Sequence, residues 1–177
     1  NTSYIQTPIT SPGTEISGVF GLRDASGDNC ILATVNRTAG TGVLRTKVSG
    51  VWQTALIDTA ITYSAGTSPV LIFDGTYASL FYNKLRVGVR QNLSALTTII
   101  PNTNWGLFST DPAVLLASCT AKPIQYGSPI TITGITKANP GVVSATAHGL
   151  VTGDIVYFSG LTQMTDLNTQ FDIVTKV

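Results

Sequence analysis

From Glu15 onward the chain is written in short apolar runs, many with every second residue aliphatic or aromatic, cut by Gly, Pro, Asn-Lys or Asp-Gly. A period of two residues sends alternate side chains to opposite faces of a strand, and the breakers supply the turns that consecutive antiparallel strands need. The strands so predicted are 16–22, 30–35, 43–48, 51–57, 69–73, 77–82, 85–90, 105–109 and 115–121. That spacing belongs to sandwiches and barrels, and residues 1–125 are expected to form an antiparallel β-sandwich. Its clearest hairpin sets Leu85, Val87 and Val89 on one face and Arg86, Gly88 and Arg90 on the other. Asn83-Lys84 would be the two-residue turn, with Asn suited to the positive φ of a type I′ turn and Lys a poorer choice than Gly. Asp74-Gly75 just upstream adds a second turn, so three sequential strands in a meander are predicted.

The pattern restarts after Ile124, across Gly127 and Pro129, and the domain boundary is placed there. Strands at 130–136, 142–147, 154–158 and 171–177 predict a small β-barrel-like module over 126–177, too small to be very stable alone. The sequence reaches Val177 in the middle of an apolar alternation, so the module is expected to continue past it.

Composition sharpens the all-β reading. Charged residues make up 11% of the 177 residues, against about 25% in an ordinary soluble protein, and Thr, Ser, Asn and Gly stand in their place. Glu15 is the single glutamate, and Lys, Arg and Met are scarce, leaving little to sustain a long helix. Mean hydropathy is +0.27, yet the longest aliphatic stretch, 113–117, falls far short of the roughly 20 residues of a spanning helix. No membrane partner is expected. A formal net charge of +1 gives no grip on a polyanion, and no nucleic-acid partner is expected either.

Candidate chemistry is sparse. The one histidine, His148, sits in Ala147-His148-Gly149 and reads as a turn residue at a strand end rather than a general base. Cys30 and Cys119 fit no metal-ligand spacing; they read as two buried thiols, with a disulfide open to them if their α-carbons come within about 7 Å. No catalytic residue is predicted. Asp24, Asp28 and Asn29 gather around Gly27 and offer hard oxygens to Ca²⁺, the one cofactor considered, although a polar hairpin loop uses the same residues. Sugars stack on exposed rings and need directional partners for their hydroxyls, which nominates Trp52, Tyr63, Tyr77, Asn104 and Trp105. Trp52 and Trp105 also fit strand patterns in which half-buried core tryptophan is the commoner outcome. The basic trio Lys84, Arg86 and Arg90 reads as a solvated strand face.

Residues 135–160, with Ala147-His148-Gly149 ending one strand and Gly153-Asp154 opening the next, followed by the loop Met164 to Asn168, resemble a small β module recurrent in tailed-bacteriophage virion proteins and named after a domain of ubiquitin-activating enzymes. The resemblance spans 135–177 and carries no ubiquitin chemistry, since no Cys follows Cys119. Residues 15–123 resemble, more weakly, a concanavalin-like or laminin-G-like jelly roll. Phe81-Tyr82-Asn83-Lys84-Leu85-Arg86-Val87 is similar to that family's Tyr-Val-Asn-Gly hairpin, with Lys84 in place of the Gly, and 104–109 and 116–123 fall where its late strands lie. The shorter segment implies first strands upstream of Asn1. These resemblances imply a structural virion protein of a tail, fibre or host-contacting part, assembled in a bacterial cytoplasm and acting by oligomerisation with its own copies and other virion proteins. The alternative is a carbohydrate-binding, lectin-like module, with a host-surface glycan as partner; a third reading is one part of a polysaccharide-degrading enzyme whose catalytic part lies elsewhere.

Overall fold

The computed structural model describes residues 2–6, 16–64, 66–67, 69–110, 120–138 and 141–177, with side chains described from Gly18 onward. The chain divides into two compact units, Asn1–Ile124 and Gln125–Val177. The described residues hold no α-helix, hence none long and apolar enough to cross a membrane.

In the first unit the strands are β1 (Thr2–Gln6), β2 (Ile16–Arg23), β3 (Cys30–Asn36), β4 (Thr41–Val48), β5 (Val51–Trp52), β6 (Ile57–Ala60), β7 (Pro69–Asp74), β8 (Tyr77–Tyr82), β9 (Leu85–Asn92), β10 (Asn104–Ser109) and β11 (Thr120–Pro123). They make two antiparallel sheets, one ordered β11-β1-β7-β8-β9 and the other β10-β2-β3-β4-β5, with β6 also on β4. The core between them follows the period of two: Ile31, Ala33 and Val35 of β3 and Leu44 of β4 meet Leu71 and Phe73 of β7 and Leu80 and Tyr82 of β8. Leu93 and Ile99, from the turns after β9, complete it. The result is the all-β antiparallel sandwich expected from the pattern.

Three strands depart from the expectation, each for a local reason. β1, between β7 and β11, is too mixed in sequence to show an apolar run. The predicted strand 51–57 is two strands on one partner: Lys47 faces Trp52 while Leu44 faces Ile57, so three steps along β4 answer five from β5 to β6. The segment between bulges out, tied by Gln53 N–H to the Thr46 carbonyl at 2.9 Å. In β9, Val87 is buried but Leu85 and Val89 are exposed. Leu80 faces Val87 and Ala78 faces Gln91, so two steps on β8 answer four on β9, and Gly88, at φ +66°, makes the bulge that breaks the alternation. The predicted turn is there: Asn83 and Lys84 have φ of 50° and 63°, both positive as a type I′ turn requires. The predicted strand 115–121 lies largely outside the described residues, apart from the start of β11.

The second unit contains β12 (Gly134–Ile135), β13 (Val143–Ser144), β14 (Ile155–Tyr157) and β15 (Phe171–Ile173), with a 3-10 turn at Thr165–Leu167. Here the expected barrel-like closure gives way: among the described residues β12-β13 and β14-β15 are separate two-stranded ladders. Backbone bonds carry both ladders a little past the strand ends, as where Thr136 N–H donates to the Val142 carbonyl at 2.9 Å and Val174 N–H to the Asp154 carbonyl at 2.8 Å. Side chains add to them, with Val142 N–H donating to Thr136 Oγ1 at 2.8 Å and Val151 N–H to Asp154 Oδ2 at 2.9 Å. Phe171, 2% exposed, lies with Tyr157 and Tyr126 in an aromatic group, ring centroids 4.9 and 6.4 Å away. His148 serves the turn: its Nδ1 accepts from Leu150 N–H at 2.9 Å, beside Ala147 at φ +51°.

Candidate functional site

The face of the six-stranded sheet turned away from the core carries a groove of about 400 Å³. The register explains which residues meet there. Phe108 faces Gly18, Gly18 faces Thr34, Thr34 faces Val43 and Val43 faces Asp58, one row across β10, β2, β3, β4 and β6. Leu32 and Arg45 pair in one neighbouring row, Asn36 and Thr41 in the other. Leu32, Thr34 and Val43 are buried and form the floor. Asn36, Thr41, Arg45, Asp58, Phe108 and Trp52 line it around them.

The arrangement combines a ring with opposite polar functions. Trp52, on the short β5, is 45% exposed. Arg45 brings a fork of donors and Asp58 a pair of acceptor oxygens. Asn36 Oδ1 accepts from Ala39 N–H at 2.8 Å, so the side chain offers the groove its Nδ2 donor. An apolar floor, an indole and a donor-acceptor pair within one groove can hold a small polyhydroxylated molecule by stacking and directional hydrogen bonds together.

Of the residues nominated by sequence, Trp52 alone lines this groove. Trp105 and Tyr63 pack against the core, and the Arg37 guanidinium lies 5.3 Å from the Tyr63 ring centroid. Tyr77 stands on the other sheet, its ring covered by Arg90 at 3.8 Å. Asn104 is exposed at the start of β10. The basic trio is not uniformly solvated, since Arg90 pairs with Asp74 and Arg86 lies 5.4 Å over the Phe81 ring centroid. Thr34, Asn36, Thr41, Arg45, Asp58 and Phe108 are not among the binding residues nominated from sequence. The signal for them is the alternation of Thr34 and Asn36 with Ala33 and Val35, obscured because Leu32 and Val43 make the outward face apolar as well.

Asp24, Asp28 and Asn29 do come together, as a loop that satisfies itself. Asp24 Oδ1 accepts from Gly27 N–H at 2.7 Å and Asp28 N–H at 2.9 Å, and Oδ2 from Asn29 Nδ2 at 2.7 Å. The Asn29 amide and the loop N–H groups hold the Asp24 pKa down to about 2. Among the described residues no three His, Cys, Asp or Glu side chains gather as a metal set. Cys30 is a buried free thiol whose pKa burial pushes up; Cys119 lies outside the described residues.

No family model matches the chain, and no curated protein matches its sequence. Solved structures do. CG-16, a homodimeric agglutinin from chicken liver, superposes at a TM-score of 0.50 with 12% identity, covering 68% of this chain and 89% of its own. Chicken galectin 2 gives 0.51 and 10%, covering 68% and 88%. Sheep galectin-11, solved in complex with glycerol, gives 0.51 and 13% with the same coverage. At such identities the likeness is one of fold, and it identifies the sandwich of this chain as similar to theirs.

Proposed function

We propose that the first unit is a carbohydrate-binding module whose site is the groove on the six-stranded sheet. The observation that carries this reading is the placement of the exposed Trp52 indole beside Arg45 and Asp58, over the floor of Leu32, Thr34 and Val43. Sugars need that combination, since their C–H faces stack on rings while their hydroxyls demand both donors and acceptors. That one fold neighbour is an agglutinin and others are galectins supports the reading. The test is a glycan array of the full chain, followed by calorimetric titration with the best-bound sugar. Binding that Trp52→Ala or Asp58→Ala abolishes in a folded protein supports the groove; an array with no signal, or binding that both variants retain, removes it.

A second reading is favoured by the second unit, where Tyr126, Val142, Val143 and Val151 are exposed on a module with very short ladders. We propose assembly in a phage virion part as the setting in which such surfaces would be covered by other copies or other virion proteins. A host-surface glycan would then be the target of the groove. Light scattering that finds a monomer at high concentration counts against this setting without touching the glycan site.

A further inference from the structure

The hairpin loop between β2 and β3 is bonded at three points to the hairpin that carries Trp52. Asn29 Oδ1 accepts from Ser49 N–H at 3.0 Å. The Asp28 carbonyl accepts from Gly50 N–H at 2.9 Å, and Lys47 Nζ donates to the Gly27 carbonyl at 3.2 Å. Ser49 and Gly50 form the β4–β5 turn in the left-handed region, at φ 47° and 80°. A serine there is strained, and a bond to its N–H from outside the turn helps hold it. Lys47 faces Trp52 in the ladder, and its Nζ lies 5.9 Å from the indole centroid.

All three anchor points are arranged by one side chain. Asp24 takes the N–H groups of Gly27 and Asp28 on one oxygen and the Asn29 amide on the other. The Gly27 and Asp28 carbonyls are thereby aimed at Lys47 and Gly50, and the Asn29 amide is oriented with its oxygen toward Ser49. β5 is two residues long and bulges away after Trp52, so little in its own ladder fixes the ring.

We infer that Asp24 is a positioning residue for Trp52, setting the indole at the edge of the groove through Asn29, the Ser49-Gly50 turn and Lys47. Its role in sugar binding rests on the reading of the groove given above, but the position of the ring is measured without any sugar. The experiment records the two indole N–H resonances of the ¹⁵N-labelled full chain, assigned with Trp52→Phe, in Asp24→Ala and in Asn29→Ala. Asn29→Ala cuts the link to Ser49 in an exposed loop and keeps the test open should Asp24→Ala fail to fold. The expected result is that the Trp52 resonance moves and its acrylamide quenching increases in both variants, while the Trp105 resonance stays. A Trp52 signal unchanged in the folded variants overturns the inference. A moved signal in a chain that binds no sugar upholds the positioning and rejects the glycan reading alone.

Discussion

The ring of Trp105 occupies the space that a side chain on Gly21 would need: a Cβ at Gly21 would stand 2.0 Å from Trp105 Cζ3. This close packing sets the Trp105 indole against the core side of the six-stranded sheet. Gly21→Ala is expected to cost about 1–3 kcal/mol through overpacking, and Trp105→Ala about 3 kcal/mol through the lost contacts and the space left behind. The two are coupled, so Gly21→Ala should cost less when Trp105 is already Ala. Trp52→Ala, by contrast, should change stability by under about 1 kcal/mol. Urea unfolding of the four proteins of the cycle, with Trp52→Ala beside them, tests this; an additive cycle would place Trp105 away from Gly21.

Lys84 adopts φ 63° at the second position of the β8–β9 turn. An L residue with a Cβ is disfavoured there, and Asn-Gly is the preferred pair. Lys84→Gly should therefore stabilise the sandwich by about 1 kcal/mol, read as a higher urea midpoint at unchanged slope. A neutral or destabilising result would mean that the Lys84 side chain makes a contact worth as much as the strain.

These two sites also mark what local sequence can convey. The Asn83-Lys84 turn and the strands around it were legible because turn geometry and the period of two depend on neighbouring residues. Gly21 and Trp105 meet across two strands that are joined only through most of the domain, and nothing near either residue announces the pair. The groove is illegible for the same reason. Trp52 could be nominated as an exposed aromatic, but its company of Asn36, Arg45 and Asp58 depends on the pairing of β3, β4 and β6 and on the bulge that separates β5 from β6. The bulge at Gly88 reversed the expected burial of Val89 because β9 takes four steps, from Val87 to Gln91, where β8 takes two, and Val89 falls within that extra length.

Asp24 makes the loop between β2 and β3 sensitive to acid. Its carboxyl titrates near 2 in the folded chain against an ordinary 3.8. A depressed folded value means that the ionised form favours the native state, so this contribution is complete above pH 3.8 and lost as the pH falls toward 2. Asp24→Asn removes the titration. Between pH 5 and pH 2 the urea midpoint of the unaltered chain should fall more than that of the variant; equal falls would show that the loop bonds do not favour the ionised carboxylate.

The same bonds bear on calcium. Both Asp24 oxygens already accept donors from Gly27, Asp28 and Asn29, and a cation would have to break that loop to recruit them. Millimolar Ca²⁺ should leave the melting temperature where EDTA leaves it. A rise that Asp24→Asn abolishes would instead make the loop a metal site.

Phe171 decides the fate of the second unit. It is 2% exposed and, with Phe158, is one of two apolar side chains buried among the described residues of Gln125–Val177. A module of that size has little stability to lose, and Phe171→Ala removes about 3–5 kcal/mol at a buried phenylalanine. The cost exceeds what two short ladders can hold, so the unit should open as a whole rather than relax around a cavity. Limited proteolysis should then cut throughout 125–177, and the amides of β14 and β15 should lose protection from exchange. A variant that keeps both its protection and its resistance would show that the module is held by contacts other than the packing of Phe171 with Tyr157 and Tyr126.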